Sequence, residues 1–304
     1  MVRELWLASP RGYCAGVDRA TQVVALVLQR TGNPVYVRKQ IVHNRHVVAR
    51  LAARGAIFVD ELEDAPRGAT VVFSAHGVAP AVREQAERRD MHVIDATCPL
   101  VTKVHREAQR LTCPIVLIGH AGHEEVEGTM GQAPDRMHLV QTHEDIAGLP
   151  LDPNQPVAWL SQTTLSVDET RDTVEALRAR FPHLIDPPSD DICYATQNRQ
   201  SAVRELASRC ELVIVVGSAN SSNSMRLVEV SRAGARTHRV DSAEDLDPNW
   251  FDGVQSVGVT SGASVPDDLA QGVIKWLTSR GWPEAKELVV VKESLHFALP
   301  ASVR

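Results

Sequence analysis

Three stretches of the chain share the same order of hydrophobic and polar positions. Each begins with a helical pattern in which apolar residues recur three or four positions apart. The patterns read GVDRATQVVALVLQR from Gly16, PLVTKVHREAQRL from Pro99 and TQNRQSAVRELASR from Thr196. A short apolar run follows each, at 34–38, 114–119 and 212–217, as is typical of strands buried between helices. The chain therefore predicts a helix followed by a strand three times.

A second apolar strand follows in each stretch and ends in a loop of small polar residues. These strands are predicted at 71–78, 157–166 and 257–266, and each loop starts another helix. We therefore predict three quasi-equivalent α/β units of about 90 residues with small, mainly parallel sheets. The expected boundaries are 1–97, 98–192 and 193–282, with a C-terminal tail at 283–304 that packs back on the body. The repeat favours a pseudo-threefold arrangement of the units around a central site.

A cysteine heads each of the three repeated helices. Cys14, Cys98 and Cys193 hold equivalent positions, whereas Cys113 and Cys210 have no counterpart in the third unit and are assigned to packing. Five scattered cysteines without a CxxC pair do not suggest a secreted disulfide framework or an ordinary zinc finger. Because ligands bind where parallel strands end, we expect the three equivalent thiols to meet. Three thiolates can hold zinc or an iron–sulfur cluster.

Polar residues of one chemical kind follow the predicted strands. Neutral or weakly cationic donors dominate, and acids are few, which suits the binding of an oxyanion such as phosphate. The donors are His43, His76, His123, Ser221, Ser222, Asn223 and Ser264. The alternative for the serine- and asparagine-rich loop is a helix cap, which is compatible with anion binding. The sequence leaves the roles of His105 and His120 open.

Glu125 is the acid of interest because it stands in the polar loop two residues after His123. A carboxyl group at that position is a candidate proton donor. Glu124 and Glu127 lie beside it, so the alternative is an ordinary solvated acidic turn.

Composition narrows the class of protein. The chain has 304 residues, a formal net charge of −6 and 43% hydrophobic residues. The charge argues against nonspecific nucleic-acid binding, which depends on clustered basic residues. No apolar run has the length of a membrane span or marks a secretory signal, so we expect a cytoplasmic protein without a membrane segment.

Nine motifs, in order and with compatible spacing, resemble the 4-hydroxy-3-methylbut-2-enyl diphosphate reductase family (LytB/IspH). They cover residues 9 to 282 approximately. The motifs are PRGYCAGVDRA, VHNRHVV, FSAHGV, DATCPLVTKVH, GHEEVEGTMGQ, QTTLSVDET, DDICYATQNRQ, GSANSSNSMRL and GVTSGASVPD. The resemblance implies a trefoil of three α/β units. It also implies the last step of the non-mevalonate isoprenoid pathway, in which (E)-4-hydroxy-3-methylbut-2-enyl diphosphate is reduced to isopentenyl and dimethylallyl diphosphates.

The resemblance also implies the roles of individual residues. Cys14, Cys98 and Cys193 would bind a 4Fe-4S cluster whose one open iron takes the substrate hydroxyl. The diphosphate would be held by His43, His76, His123, Ser221, Ser222, Asn223 and Ser264. Glu125 would supply protons together with Thr163 and His123, while Thr164 would help to order the hydroxyl and water network. Ferredoxin or flavodoxin would deliver the electrons singly.

One position departs from the family pattern, and two other functions remain open. The family often has proline where this chain has Glu124. The added carboxylate of Glu124 would either raise the pKa of Glu125 or point outward.

One alternative function is a zinc hydrolase using the same three cysteines. The other is a non-enzymatic iron–sulfur sensor, which needs no set of diphosphate ligands.

Overall fold

The computed structural model describes residues 3–32 and 34–303. In chain order its strands are β1 (Glu4–Ser9), β2 (Val35–Arg38), β3 (Ala56–Val59), β4 (Thr70–Phe73), β5 (His92–Asp95), β6 (Ile115–Ile118), β7 (Met137–Val140), β8 (Val157–Ser161), β9 (Leu184–Ile185), β10 (Leu212–Val216), β11 (Arg236–Val240), β12 (Ser256–Ser261) and β13 (Lys286–Val289). Its helices are α1 (Ala15–Thr31), α2 (Arg45–Ala52), α3 (Pro80–Arg88), α4 (Pro99–Arg110), α5 (Glu124–Met130), α6 (Val167–Arg180), α7 (Tyr194–Arg209), α8 (Ser222–Arg232) and α9 (Asp267–Thr278).

Internal contacts divide the chain into two compact units. The first contains the residues up to 17, 43–47 and 194–296. The second contains 18–42, 48–193 and the residues from 297 onward. The first unit has one sheet and the second has two.

The sheet of the first unit has five strands in the order β11-β10-β12-β1-β13, and its strand pairs are parallel. The interior strand β10 reads LVIVV and is fully buried along its whole length. Its alternate side chains pack on opposite faces, as the pleat requires. Ile214 lies in one core with Val273 of α9, and Val215 lies in another with Val203 of α7 and Leu227 of α8. Helices therefore cover both faces of this sheet, as expected of parallel strands.

The second unit contains two four-stranded parallel sheets, in the orders β3-β2-β4-β5 and β7-β6-β8-β9. In the latter, Ile118 of β6 packs in a core with Leu177 of α6. The neighbouring Leu117 packs on the other face with Val104 of α4. In the former sheet, Phe73 of β4 packs with Ala86 of α3.

The predicted fold class is confirmed: this is an α/β protein with three small parallel sheets. All six strands expected from the apolar runs are present, and α1, α4 and α7 begin one residue after Cys14, Cys98 and Cys193. The predicted second helices of the three segments correspond to α3, α6 and α9.

One strand, β1, does not belong to the sheet of the unit in which the sequence analysis placed it. β1, from the first predicted unit, pairs with β12 in the sheet of the third. β13, in the predicted tail, adds to the other edge of β1. The boundaries at 97, 192 and 282 stay a prediction about the units.

Among the helices of residues 3–32 and 34–303, none combines the length and the apolar character that crossing a membrane requires.

Candidate active site

The three candidate metal ligands stand directly ahead of helices. Cys14, Cys98 and Cys193 are partly exposed thiols, and the N-terminal end of a helix favours negative charge. Three thiols in this setting fit the donor chemistry of an iron–sulfur cluster, which is held by cysteine thiolates. Cys210 is buried with Leu206 and Val213, and burial raises the pKa of its thiol to about 12, in agreement with a packing role. Cys113 is partly exposed.

The backbone of each candidate cysteine is bonded to a loop that follows a strand. The Cys14 N–H donates to the Ala263 carbonyl at 3.2 Å, and the loop of Ala263 follows β12. The Cys98 N–H donates to Ala75 at 2.9 Å, after β4. The Cys193 N–H donates to Thr163 at 3.0 Å, after β8. The repeat in the sequence predicted polar site residues in these three loops. Each candidate cysteine is therefore bonded to one loop that carries such residues.

Glu125 is buried in the second unit, with only 2% of its surface exposed. Its Oε1 accepts from the backbone N–H of Thr163 at 2.6 Å, and its Oε2 lies 3.0 Å from the Thr163 hydroxyl. The hydroxyl can donate to a carboxylate or accept from a protonated carboxyl, since its hydrogen rotates. The alternative of a solvated acidic turn is therefore wrong for Glu125, although it describes the exposed Glu127.

Burial raises the pKa of Glu125. The buried Asp191 carboxyl raises it further, whereas the Thr163 N–H and the ring of His76 lower it. Burial also raises the pKa of Asp191, against the attraction of Lys103. Asp191 accepts from the Ser161 N–H at 3.1 Å, so it lies at the end of β8. A neutral carboxyl at Glu125 has a proton to give.

Glu124 is half-buried and takes part in a network of its own. Its Oε2 accepts from the Ser74 hydroxyl at 3.3 Å and lies 3.1 Å from Nδ1 of His76. Glu124 therefore does not point outward into solvent. It orients the ring of His76, which meets the ring of His123 edge-on with centroids 5.8 Å apart.

A buried amide holds the loop that carries Thr163 and Thr164. Gln162 donates through Nε2 to the Thr164 hydroxyl at 2.9 Å and accepts the backbone N–H of His120 at 3.1 Å. His123 caps α5 by accepting the Glu125 N–H at its Nδ1, 3.2 Å away. The predicted residues His76, His123, Glu125, Thr163 and Thr164 thus belong to one bonded group of loops.

The remaining predicted residues lie in the first unit. Asn223 is buried and bridges two elements: its Oδ1 accepts the Ala263 N–H at 2.8 Å, and its Nδ2 donates to Thr196 at 3.3 Å. Ser221 caps α8 by accepting the Ser224 N–H, and Ser222 is the first residue of that helix. The predicted cap is therefore confirmed, and a capped helix N-terminus is compatible with anion binding.

Ser264 connects two of the predicted loops. It donates its hydroxyl hydrogen to the His43 carbonyl at 3.0 Å. The next residue, Asn44, is 1% exposed and caps α2 by accepting the N–H groups of His46 and Val47 at 3.0 and 3.1 Å. His43 is therefore fixed between a serine and a helix start.

The sequence alone did not identify Asp191, Gln162 or Thr196 as part of these loops. All three stand inside family motifs, and this is the only signal that would have marked them. Their partners include residues distant in the chain, such as Lys103 for Asp191 and Asn223 for Thr196, which a single sequence does not reveal.

His105, whose role was open, is a buried residue of α4. It packs against Gly77, where φ is +77° and an added Cβ would lie only 2.6 Å from the imidazole Cε1. Glycine is therefore required at 77 for conformation and for space. Burial and, to a smaller extent, the charge of Arg83 lower the pKa of His105 to about 4 against the opposing charge of Asp95.

The fold and these loops define an α/β protein with a cysteine-based candidate metal site. Residues 5–278 match the family model described as LytB protein. The chain belongs to the LytB family, as its motifs predicted.

Relatives that carry the name 4-hydroxy-3-methylbut-2-enyl diphosphate reductase match nearly the whole chain. The protein from Cutibacterium acnes is 62% identical, over 99% of this chain and 95% of its own length. The protein from Nocardia farcinica is 57% identical, over 99% and 91%. The solved structure of the E-1-hydroxy-2-methyl-but-2-enyl-4-diphosphate reductase from Plasmodium falciparum is 37% identical, with a TM-score of 0.97, and the match covers 100% of this chain and 97% of that one.

The depressed pKa of His105 predicts a pH dependence of stability. The ring is neutral in the folded protein down to pH 4 approximately, while in the unfolded chain it takes up a proton below pH 6.5. The free energy of unfolding should therefore fall by on the order of 3 kcal/mol from this residue alone as the pH drops through that window. Urea unfolding of apoprotein with the His105→Gln substitution should lack this component. An identical pH dependence in variant and wild type would contradict the assignment.

Proposed function

We propose that this chain is an iron–sulfur reductase of (E)-4-hydroxy-3-methylbut-2-enyl diphosphate. The reaction breaks the allylic C–O bond with two electrons and two protons and releases water together with isopentenyl or dimethylallyl diphosphate. One proton leaves in the water, and the other enters the carbon skeleton. Family membership supports the reaction class. The single structural observation that carries the proposal is a buried Glu125 with a raised pKa, bonded to Thr163.

Cys14, Cys98 and Cys193 are the proposed ligands of a 4Fe-4S cluster with one open iron. Support comes from their equivalent positions ahead of α1, α4 and α7 and from their bonds to three equivalent loops. In addition, the Ala15 N–H lies 3.4 Å from the Tyr194 hydroxyl, so the residues that follow Cys14 and Cys193 contact each other. When bound, the cluster supplies electrons and Lewis-acid character for the cleavage of the C–O bond.

Glu125 acts as the proton source for the departing oxygen. Burial raises its pKa and so favours the protonated form, and the Thr163 hydroxyl bonds it in either protonation state. His123 fixes the backbone of Glu125 through its Nδ1. Thr164, held by Gln162, helps to order the substrate hydroxyl and water.

The diphosphate is the part of the substrate that the remaining polar residues would bind. They comprise neutral hydroxyl, amide and imidazole donors together with the N-terminus of α8, which suits an oxyanion. The set is His43, His76, His123, Ser221, Ser222, Asn223 and Ser264, joined by Thr163 and Thr164 at the reacting end. Anchoring this group orients the alcohol, so remote binding energy lowers the barrier.

A ferredoxin or a flavodoxin is the proposed electron donor, and the cytoplasm is the proposed location. The electron donor follows from the family resemblance of the motifs, and the location from the expectation that the sequence carries neither a membrane span nor a secretory signal.

Metal analysis separates the reductase from a zinc hydrolase. Protein purified without oxygen should be brown and contain iron and inorganic sulfide in about equal amounts, four of each per chain. Colourless protein with one zinc per chain would contradict the proposal. A sensor would carry iron and sulfide but would not turn over the allylic diphosphate.

Glu125→Gln removes the acidic proton and keeps the shape of the side chain. Turnover should fall at least about a hundredfold, as expected for the loss of a general acid. Cluster content and diphosphate affinity should be retained. Glu127→Gln, two residues further on the exposed face of α5, is the matched control and should turn over normally. Normal turnover of Glu125→Gln would remove Glu125 from its proposed role.

Asp191→Asn should shift the pH profile of turnover. Asparagine keeps the shape of the side chain and one of the two acceptor oxygens that Lys103 and the Ser161 N–H use, but removes the negative charge that raises the pKa of Glu125. Glu125 should then lose its proton at lower pH, so the alkaline decline of kcat should begin at lower pH than in the wild type. A decline that stays at the same pH would show that Glu125 does not control it.

A further inference from the structure

A cationic side chain lies five or six residues after each candidate cysteine, on the helix that the cysteine heads. The three cations are Arg19 on α1, Lys103 on α4 and Arg199 on α7. Each donates hydrogen bonds to backbone carbonyls ahead of a different candidate cysteine, never ahead of its own.

Arg19 bonds the loop ahead of Cys98. Its Nη1 donates to the carbonyls of Ala96 and Thr97 at 3.1 and 3.0 Å. Its Nε donates to the Ala298 carbonyl of the C-terminal tail at 2.9 Å. One half-buried guanidinium therefore connects α1, the two residues before Cys98 and the tail.

Lys103 bonds the loop ahead of Cys193. Its ammonium donates to the carbonyls of Ser189 and Asp190, both at 2.8 Å, and to the buried Asp191 carboxylate at 3.2 Å. All three donors of the ammonium thus have acceptors in one loop of three residues.

Arg199 bonds the loop ahead of Cys14 and is fully buried. Its Nη2 donates to the carbonyls of Gly12 and Tyr13 at 2.7 and 3.4 Å, and its Nε also donates to Gly12, at 3.2 Å. Glu293 of the tail pairs with the guanidinium at 3.0 Å. A buried charge is tolerated only when it is paired and fully hydrogen-bonded, and these contacts meet that requirement.

The three sets of bonds follow a cyclic order. Helix α1, which follows Cys14, bonds the loop ahead of Cys98. Helix α4, which follows Cys98, bonds the loop ahead of Cys193. Helix α7, which follows Cys193, bonds the loop ahead of Cys14. Carbonyls in loops lack the partners that a helix or sheet provides, so a cation that satisfies two of them fixes the local backbone. By contrast, Arg110 on α4 and Arg209 on α7 each form an ion pair with an acid of their own helix, Glu107 and Glu205.

We propose that Arg19, Lys103 and Arg199 are positioning residues that set the places of Cys98, Cys193 and Cys14 before any cofactor is bound. The proposal rests on the proposed function for the purpose of those thiols, but the contacts themselves do not depend on it. It also gives the C-terminal tail a role. Glu293 neutralises the charge of Arg199, and the Ala298 carbonyl accepts a hydrogen bond from Arg19.

The cyclic order makes a specific prediction for hydrogen–deuterium exchange of the apoprotein. Arg19→Gln should speed exchange about tenfold in the loop ahead of Cys98, Lys103→Gln in the loop ahead of Cys193, and Arg199→Gln in the loop ahead of Cys14, because a protecting contact is lost in that loop alone. The control substitutions Arg110→Gln on α4 and Arg209→Gln on α7 should leave all three loops unchanged.

Conservative variants separate positioning from general destabilisation. Lys103→Arg should restore slow exchange, since a guanidinium has donors for the same carbonyls. If the buried Arg199→Gln chain does not fold, Glu293→Gln tests the same contact by weakening the pair that holds Arg199 in place. Equal loosening of all three loops, loosening only beside the altered helix, or no change at any loop would overturn the proposal.

A second measurement distinguishes failure of this proposal from failure of the proposed function. After anaerobic reconstitution, the variants with a loosened loop should lose the cluster to oxygen at least several times faster than wild type and give an altered electron paramagnetic resonance spectrum. If loosened variants keep wild-type cluster lifetime and spectrum, the positioning role is wrong while the proposed function stands. If wild type itself takes up no iron and sulfide, the proposed function fails, and the exchange data still decide the loop contacts.

Discussion

The hydrogen bond from the backbone N–H of each candidate cysteine is the interaction on which the site depends. Its acceptor is Ala263 for Cys14, Ala75 for Cys98 and Thr163 for Cys193. A helix begins at the next residue in each case, so each thiol is fixed between a loop bond and a helix start. The geometry follows from the parallel sheets, because the loops that follow their strands are also where the polar site residues stand.

The chemistry of the second unit follows from burying an acid without a full countercharge. Both carboxyl oxygens of Glu125 accept hydrogen bonds from Thr163, and Asp191 adds negative charge nearby. Desolvation therefore dominates and favours the neutral acid. Glu124 is bonded to Ser74 and His76 instead, so the two neighbouring glutamates have different environments.

The sequence predicted what depends on local pattern. The helices after Cys14, Cys98 and Cys193 and the buried strands such as β10 were identified because apolar spacing and continuous apolar runs report them directly. The short strands β3, β5, β7, β9 and β11 were not predicted, since two to five partly buried residues give little signal. The pairing of β1 with β12 is a long-range contact, and the apolar pattern of β1 carries no information about its partner.

The site was predicted to a similar extent, and for the same reason. Motifs identified the residue types at Glu125, Thr163 and the three cysteines, and the structure gives their contacts within each unit. The charge of Asp191, the different partners of Glu124 and the cyclic bonding of Arg19, Lys103 and Arg199 depend on residues far apart in the chain. Those features were not accessible from composition or spacing.

The most direct test of the central claim, that three cysteines hold a cluster with one open iron, is Mössbauer spectroscopy of protein reconstituted with ⁵⁷Fe. Four iron sites should be present, and one of the four should change its isomer shift and quadrupole splitting when the allylic diphosphate is added. The spectra of Cys14→Ser, Cys98→Ser and Cys193→Ser should each show loss of the cluster. Four equivalent irons that do not respond to the diphosphate, or an unchanged cluster in any of the three variants, would contradict the account.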